Sequence, residues 1–367
     1  MGKGLLLVFA AMILLLGCAQ WEPGAPAHPM IEVPEGPGPG EPGGPGMPEP
    51  GQPAVPEGRG DAGPEVPEEP GPPAAVGYAL KGVSLSPRSD EYFGQFFEEA
   101  AEAGEVVMWA GDWMEIETGG APIVVSGLAS AYGYVPLVEV TYYTQGEGEL
   151  VRPLTEENRR IYRESTMAFV EEYRPEYFVM GIETDIMHEK SPDDYYEFVE
   201  FYNEMYDEIK GVSPDTKVFT VFQLEGMKGC TLWEEASCDP GNSRWELIDD
   251  FKLDIVGFST YPCLVYKDPA DIPEGHYAEI NEHVSKPIAF TENGWHSEAY
   301  PPEWESSEEE QARYVERFFG LTEDLDVEVT IWSFMYGPGT IKPFDSMGLR
   351  RDDGTARPAW DAWVEGG

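Results

Sequence analysis

The chain has 367 residues, a formal net charge of −46 and four cysteines. A nucleic-acid partner needs a basic footprint, so this charge excludes that class and favours an uncharged ligand. The cysteines show no repeated Cys-x-x-Cys spacing, which argues against a structural zinc site.

Residues 1–18 read as a targeting signal. Lys3 gives a short basic start, and Leu5 to Leu16 is apolar but too short to span a bilayer. Leu15-Leu16-Gly17-Cys18 resembles a bacterial lipobox. Cys18 is then the lipid-bearing residue, and the protein is exported and held at a membrane, on the cell surface or in the periplasm. An ordinary secretory signal with an incidental cysteine is the alternative.

Residues 19–76 are Pro, Gly and Glu with almost nothing apolar, a composition too polar to offset the entropy of ordering. They are expected to form a disordered, semi-extended tether. This segment holds ten acids against Arg59, and residues 1–18 hold only Lys3, so −38 of the −46 falls on residues 77–367. In that part Cys230 and Cys238 lie close in one presumed loop, where an oxidising compartment makes a local disulfide reasonable; Cys263 is left unpaired.

Residues 77–367 have ordinary globular composition and suffice for one large domain. Short apolar runs recur along them: 82–85, 106–109, 135–142, 177–181, 217–222, 254–259, 287–290 and 329–334. The segments between carry helix signals. Ser191-Pro192-Asp193-Asp194 reads as an N-cap with proline at the first helical position, ahead of Tyr195, Phe198, Tyr202, Met205 and Ile209 on one face. Ser307 to Glu310 and Thr155-Glu156-Glu157 open helices in a similar way. Eight strand-plus-helix units predict a (β/α)₈ barrel. An open doubly wound sheet is the runner-up, but Leu85-Ser86-Pro87-Arg88 is no phosphate-binding loop.

A barrel of this kind carries its site at the C-terminal ends of its strands. Asp112, Trp113, Glu139, Thr141, Glu183, Asp185, Gln223, Glu225, Tyr261, Glu292 and Trp332 fall at that level. The five histidines show no metal-ligand spacing, and no Gly-x-Ser-x-Gly elbow occurs. Carboxylate chemistry remains. Glu183 after the fourth strand and Glu292 at the end of the seventh are placed to face one bond from two sides. Such a pair can cleave a glycosidic linkage, one carboxyl protonated and the other ionised.

Over residues 80–365 the pattern resembles the clan A glycoside hydrolases, most of all the endo-β-1,4-galactanase and β-mannanase kind of family. The resemblance rests on Val179-Met180-Gly181-Ile182-Glu183, Gly257-Phe258-Ser259-Thr260-Tyr261-Pro262, Ile288-Ala289-Phe290-Thr291-Glu292-Asn293-Gly294-Trp295 and Ile331-Trp332-Ser333-Phe334. It implies Glu183 as general acid/base, Glu292 as nucleophile, and Tyr261 as the hydroxyl bonded to that nucleophile. Trp332 would floor the sugar subsite, with Asp112, Trp113 and Trp295 as further substrate contacts. The chain departs from most of the clan at Ile182, where the family has Asn. The implied activity is retaining hydrolysis of a β-linked poly- or oligosaccharide by an endo-acting monomer that needs no cofactor. A catalytically inactive carbohydrate-binding lipoprotein on the same barrel, or a purely structural module, is the alternative.

Overall fold

The computed structural model describes residues 79–366 apart from 145–147, 233–235, 302–303 and 340–341. The expected signal, Cys18 and the tether lie outside the described residues.

Eight strands form one parallel sheet: β1 (Leu80–Ser84), β2 (Val106–Asp112), β3 (Val135–Thr141), β4 (Tyr177–Met180), β5 (Lys217–Phe219, continuing as Val221–Gln223), β6 (Val256–Thr260), β7 (Ile288–Asn293) and β8 (Val327–Trp332). The two halves of β5 lie at opposite ends of the ladder, one against β4 and the other against β6. Only Thr220 separates them, so the sheet closes on itself through one interrupted strand. The interruption has a local cause. The Gly181 carbonyl accepts both the Thr220 hydroxyl at 2.9 Å and the Val221 N–H at 3.1 Å, which turns the chain between the halves. Closure yields the (β/α)₈ barrel and excludes the open doubly wound sheet.

The helices are α1 (Phe93–Ala103), α2 (Met114–Thr118), α3 (Ala121–Tyr132), α4 (Glu156–Tyr173), α5 (Thr184–Lys190), α6 (Pro192–Val212), α7 (Leu224–Met227), α8 (Ile280–His283), α9 (Glu308–Thr322) and α10 (Pro358–Glu365). Two of the three expected caps bond a backbone N–H, whereas Ser191 at the start of α6 donates its hydroxyl to Asp194 Oδ2 at 2.6 Å and caps no N–H. The Thr155 hydroxyl accepts the Asn158 N–H, and the Ser307 hydroxyl accepts the Glu310 N–H, each satisfying one orphan donor of a first turn. The five-residue stripe of α6 is buried throughout. The connection from β6 to β7 departs from the one-helix-per-strand expectation. Short 3₁₀ turns and the four-residue α8 replace a long helix there. Pro262, Pro269 and Pro273 lack the N–H that a helix interior requires.

Lumen and outer shell are built from alternate residues of the strands. At the N-terminal mouth the Tyr177 hydroxyl of β4 reaches Glu328 of β8 at 3.0 Å, and the Lys217 ammonium of β5 pairs with the same carboxylate. β4 and β8 are diametrically opposed, so these bonds cross the lumen and plug its floor. The opposite mouth holds the site.

Candidate active site

Glu183 sits in a tight turn between β4 and α5. Gly181 has φ +95°, and a Cβ there would lie 2.8 Å from Thr184 Cγ2 and 3.0 Å from Phe198 Cζ and Thr220 Oγ1; glycine is required. Glu183 itself has φ +53°, a left-handed backbone uncommon for a residue with a side chain. The buried Tyr143 hydroxyl donates to the carbonyls of Ile182 and Glu183, clamping this conformation. The turn sends the Glu183 carboxyl into the mouth, where Oε1 accepts the Ser259 hydroxyl at 2.7 Å.

Glu292 arrives by a different device. In the ladder between β7 and β6, Phe290 pairs with Phe258 and Glu292 with Ser259, leaving Thr291 as an extra, bulged residue. A bulge re-aims the side chains around it. Glu292 Oε2 accepts the Tyr261 hydroxyl at 2.6 Å, and Ser333 Oγ lies 2.7 Å from the same phenol. Behind the phenol, Glu225 Oε2 accepts the Tyr261 backbone N–H at 3.3 Å and the Gln223 amide at 2.6 Å, while its Oε1 accepts the Thr260 hydroxyl at 2.8 Å. Ser259 and Tyr261 are two residues apart along β6 and its extension. One strand thus holds both carboxyls, and the two acids converge.

Burial, reinforced by the nearby charge of Glu292, pushes the Glu183 carboxyl well above the usual carboxylate range, with the Ser259 hydroxyl opposing. Burial raises Glu292 too, but the Tyr261 hydroxyl stabilises its ionised form and pulls it back. Two close carboxyls share their protons. Here Glu183 is the better-held acid and Glu292 the group more ready to ionise.

The three tryptophans expected at the sugar are all buried. Trp332 is fully buried, with its indole N–H on the Met347 carbonyl at 2.9 Å and its ring 5.7 Å from Trp363 of α10 and 6.1 Å from Tyr314 of α9. It belongs to the outer shell and floors no subsite. Side-chain alternation gives the reason: its neighbour Ser333 faces Tyr261, so Trp332 faces out. Trp295 packs on Tyr314 at 5.1 Å, and its indole bonds Ser306. Trp113 packs on Tyr162 at 5.4 Å and on Tyr142, with the Arg152 guanidinium over its ring at 5.3 Å. Asp112 stands at the rim, its Oδ1 accepting the Met114 N–H at 3.0 Å and Arg152 Nη1 at 2.5 Å.

Cys230 and Cys238 are joined as a disulfide across a two-stranded hairpin, with Cα atoms 3.8 Å apart, and Cys263 is a free, buried thiol. His188 packs edge-on to Tyr195, and His296 Nδ1 lies 2.6 Å from the Glu298 carbonyl. Ser259, Tyr143, Thr291 and Ser333 were not singled out in the sequence. Ser259 was the most accessible of them, since period-two alternation puts it on the same side of β6 as Tyr261.

No family model matches the chain, nor does any curated protein. Solved structures do resemble it. A family 39 glycoside hydrolase from Bacteroides cellulosilyticus WH2 superposes with TM-score 0.55 at 19% identity, over 77% of this chain and 62% of that one. The GH53 catalytic domain of Ignisphaera aggregans gives TM-score 0.57 at 13% identity, over 80% and 98%. GH5_18 from Streptomyces cattleya, solved with Manβ1-4GlcNAc, gives 0.56 at 13%, over 78% and 79%.

The chain shares the (β/α)₈ barrel fold of these glycoside hydrolases. At these identities the likeness is one of architecture, and this chain spans less than two thirds of the family 39 chain. Glu183 and Glu292 lie at the mouth formed by the C-terminal ends of the strands.

Proposed function

We propose that the protein is a retaining glycoside hydrolase acting on a β-linked poly- or oligosaccharide, with Glu183 as general acid/base and Glu292 as nucleophile. The observation that carries this reading is the shared hold of β6: Ser259 on one glutamate and Tyr261 on the other. Glu292 attacks the anomeric carbon as Glu183 gives its proton to the departing oxygen, and a glycosyl-enzyme ester forms at Glu292. Glu183, now ionised, takes a proton from water as the water attacks the same carbon and frees Glu292. Such a double displacement works with carboxyls about 5–5.5 Å apart. Tyr261 holds Glu292 in its ionised form, and Asp112 with Arg152 lines the rim that a sugar crosses.

The test combines reducing-sugar release on a panel of β-glycans with variants at each acid. Glu292→Ala should abolish turnover. Glu183→Ala should retain the first step only for aryl glycosides with good leaving groups, and azide should restore its turnover by trapping the ester. A wild-type protein silent across the panel, unlabelled at Glu292 by a 2-deoxy-2-fluoro glycoside, would sink the reading.

One observation favours a second reading, an inactive carbohydrate-binding barrel. Ile182 is fully buried and presents no polar group to a sugar. Glycan binding without turnover, unaffected by Glu292→Gln, would mark that case.

Endo action on a polymer, a monomeric state, and export with a lipid at Cys18 complete the proposal. Export and the lipid rest on the sequence of residues 1–18, and endo action on the family resemblance. Loss of membrane partitioning in Cys18→Ser would test the anchor.

A further inference from the structure

A third acid lies in the lumen. Glu139 of β3 is fully buried, and its Oε1 accepts the Thr291 hydroxyl at 3.3 Å. β3 and β7 are four strands apart in an eight-stranded barrel, so this hydrogen bond spans the lumen from wall to wall. Its partner is the bulged residue of β7, directly before Glu292. The other Glu139 oxygen, Oε2, has no hydrogen-bond partner among the described residues. A buried carboxyl with an unpaired oxygen is destabilising, and barrel lumens are ordinarily filled by branched apolar side chains. A leucine or valine would fill this space without that penalty.

We infer that Glu139 is a positioning residue for the nucleophile: it draws the bulged Thr291 toward the lumen and so fixes the direction in which Glu292 projects. The inference rests on the hydrolase reading for its catalytic meaning, but its geometry stands apart from it. The charges that bear on Glu139 are Glu292 on β7 and Glu183 beyond β4. Burial, then Glu292, then Glu183 hold its carboxyl protonated well above the usual range, with Thr291 opposing. A neutral Glu139 can accept from Thr291 without placing a second negative charge under Glu292. The bond and the proton therefore serve the same end.

Three variants separate this role from simple space filling. Glu139→Gln keeps shape, neutrality and an acceptor. Glu139→Leu keeps volume alone, and Thr291→Val removes the donor. We expect Glu139→Gln to match wild type in kcat and in the pH profile. Glu139→Leu and Thr291→Val should lose on the order of 100-fold in kcat with KM nearly unchanged, the size of effect that follows a misplaced reacting group. Carboxyl ¹³C NMR supplies a readout free of turnover. Glu139 should titrate above the usual carboxylate range, and its titration should move to lower pH in Glu292→Gln, where one neighbouring negative charge is gone. The Glu292 titration should shift in Glu139→Leu and Thr291→Val but not in Glu139→Gln. A folded Glu139→Leu with wild-type kinetics and an unmoved Glu292 titration would overturn the inference. If wild type shows no turnover at all, the hydrolase reading falls, and the NMR titrations alone decide the positioning role.

Discussion

At the scale of single residues the site depends on one phenol. Tyr261 donates to Glu292 and has no other means of keeping that buried acid ionised than its hydroxyl. Tyr261→Phe removes the donor, so the Glu292 pKa rises and the acid limb of the pH–rate profile moves to higher pH. The loss of one such donor should lower kcat by roughly 100-fold or more, measured from pH 4 to 9. A profile left unshifted would show that the bond does not set the charge of Glu292. The alkaline limb reports Glu183 and should lie above the ordinary carboxylate range, because burial and the Glu292 charge keep its proton on. The placement of Glu292 was legible in sequence because Asn293-Gly294 marks the end of an apolar run. The left-handed turn at Glu183 was not legible. It depends on Tyr143, forty residues earlier in the chain, and no local spacing announces a contact made only by closing the barrel.

At the scale of elements, the strands were read closely and the direction of their aromatic side chains was not. Seven of the eight apolar runs overlap single strands, and the eighth, 217–222, covers the two halves of β5. The expectation for Trp332 came from the resemblance alone, which carries no side-chain direction; a register shift in β8 beside Ile288 and Ala289 changes which of its residues face the lumen. The contacts of Trp332 with Trp363 and Tyr314 predict what its loss does. Trp332→Ala should destabilise the fold by about 3–5 kcal/mol in denaturant unfolding, as other buried tryptophans do, while KM stays close to wild type wherever the variant folds. A large rise in KM with unchanged stability would return Trp332 to the sugar. The caps at Ser307 and Thr155 were legible because these residues act within their own first turns, where sequence and structure are nearly the same information, while the Ser191 hydroxyl is diverted to Asp194. The β6–β7 connection was less predictable, since its prolines forbid a long helix without dictating which turns replace it.

At the scale of the whole molecule, buried acids govern the response to pH. Burial raises Glu139, Glu183 and Glu292, and it raises Asp185 and Glu115 each to about 7. The unfolded chain loses these protons near pH 4–4.5, whereas the folded chain keeps them. Between that range and the raised values the native state binds more protons, so stability is greatest below about pH 4.5 for these groups and falls as pH rises. Each such proton contributes a slope of about 1.4 kcal/mol per pH unit. Glu308, held low by its bond to Arg351, works the other way only as pH falls below its unfolded value, and the buried His276 and His296, lowered by burial, oppose the more numerous acids up to about pH 6.5. Denaturant midpoints should therefore drop from pH 5 to pH 8. The dense negative charge of residues 77–367 acts in the same direction. A midpoint that climbs over this interval would contradict the protonated lumen.

The lysine near the start of β1 has a mechanical consequence. Lys81 caps the end of α10 through the carbonyls of Trp363, Val364 and Gly366, so the beginning and the end of the barrel are stitched together beside its plugged floor. Any handle fastened at either extremity therefore attaches on the far side from the opening. A bead, a surface or a fused neighbour joined there leaves the entrance clear, and force applied along that handle loads the seam between β1 and α10 before it reaches the acids.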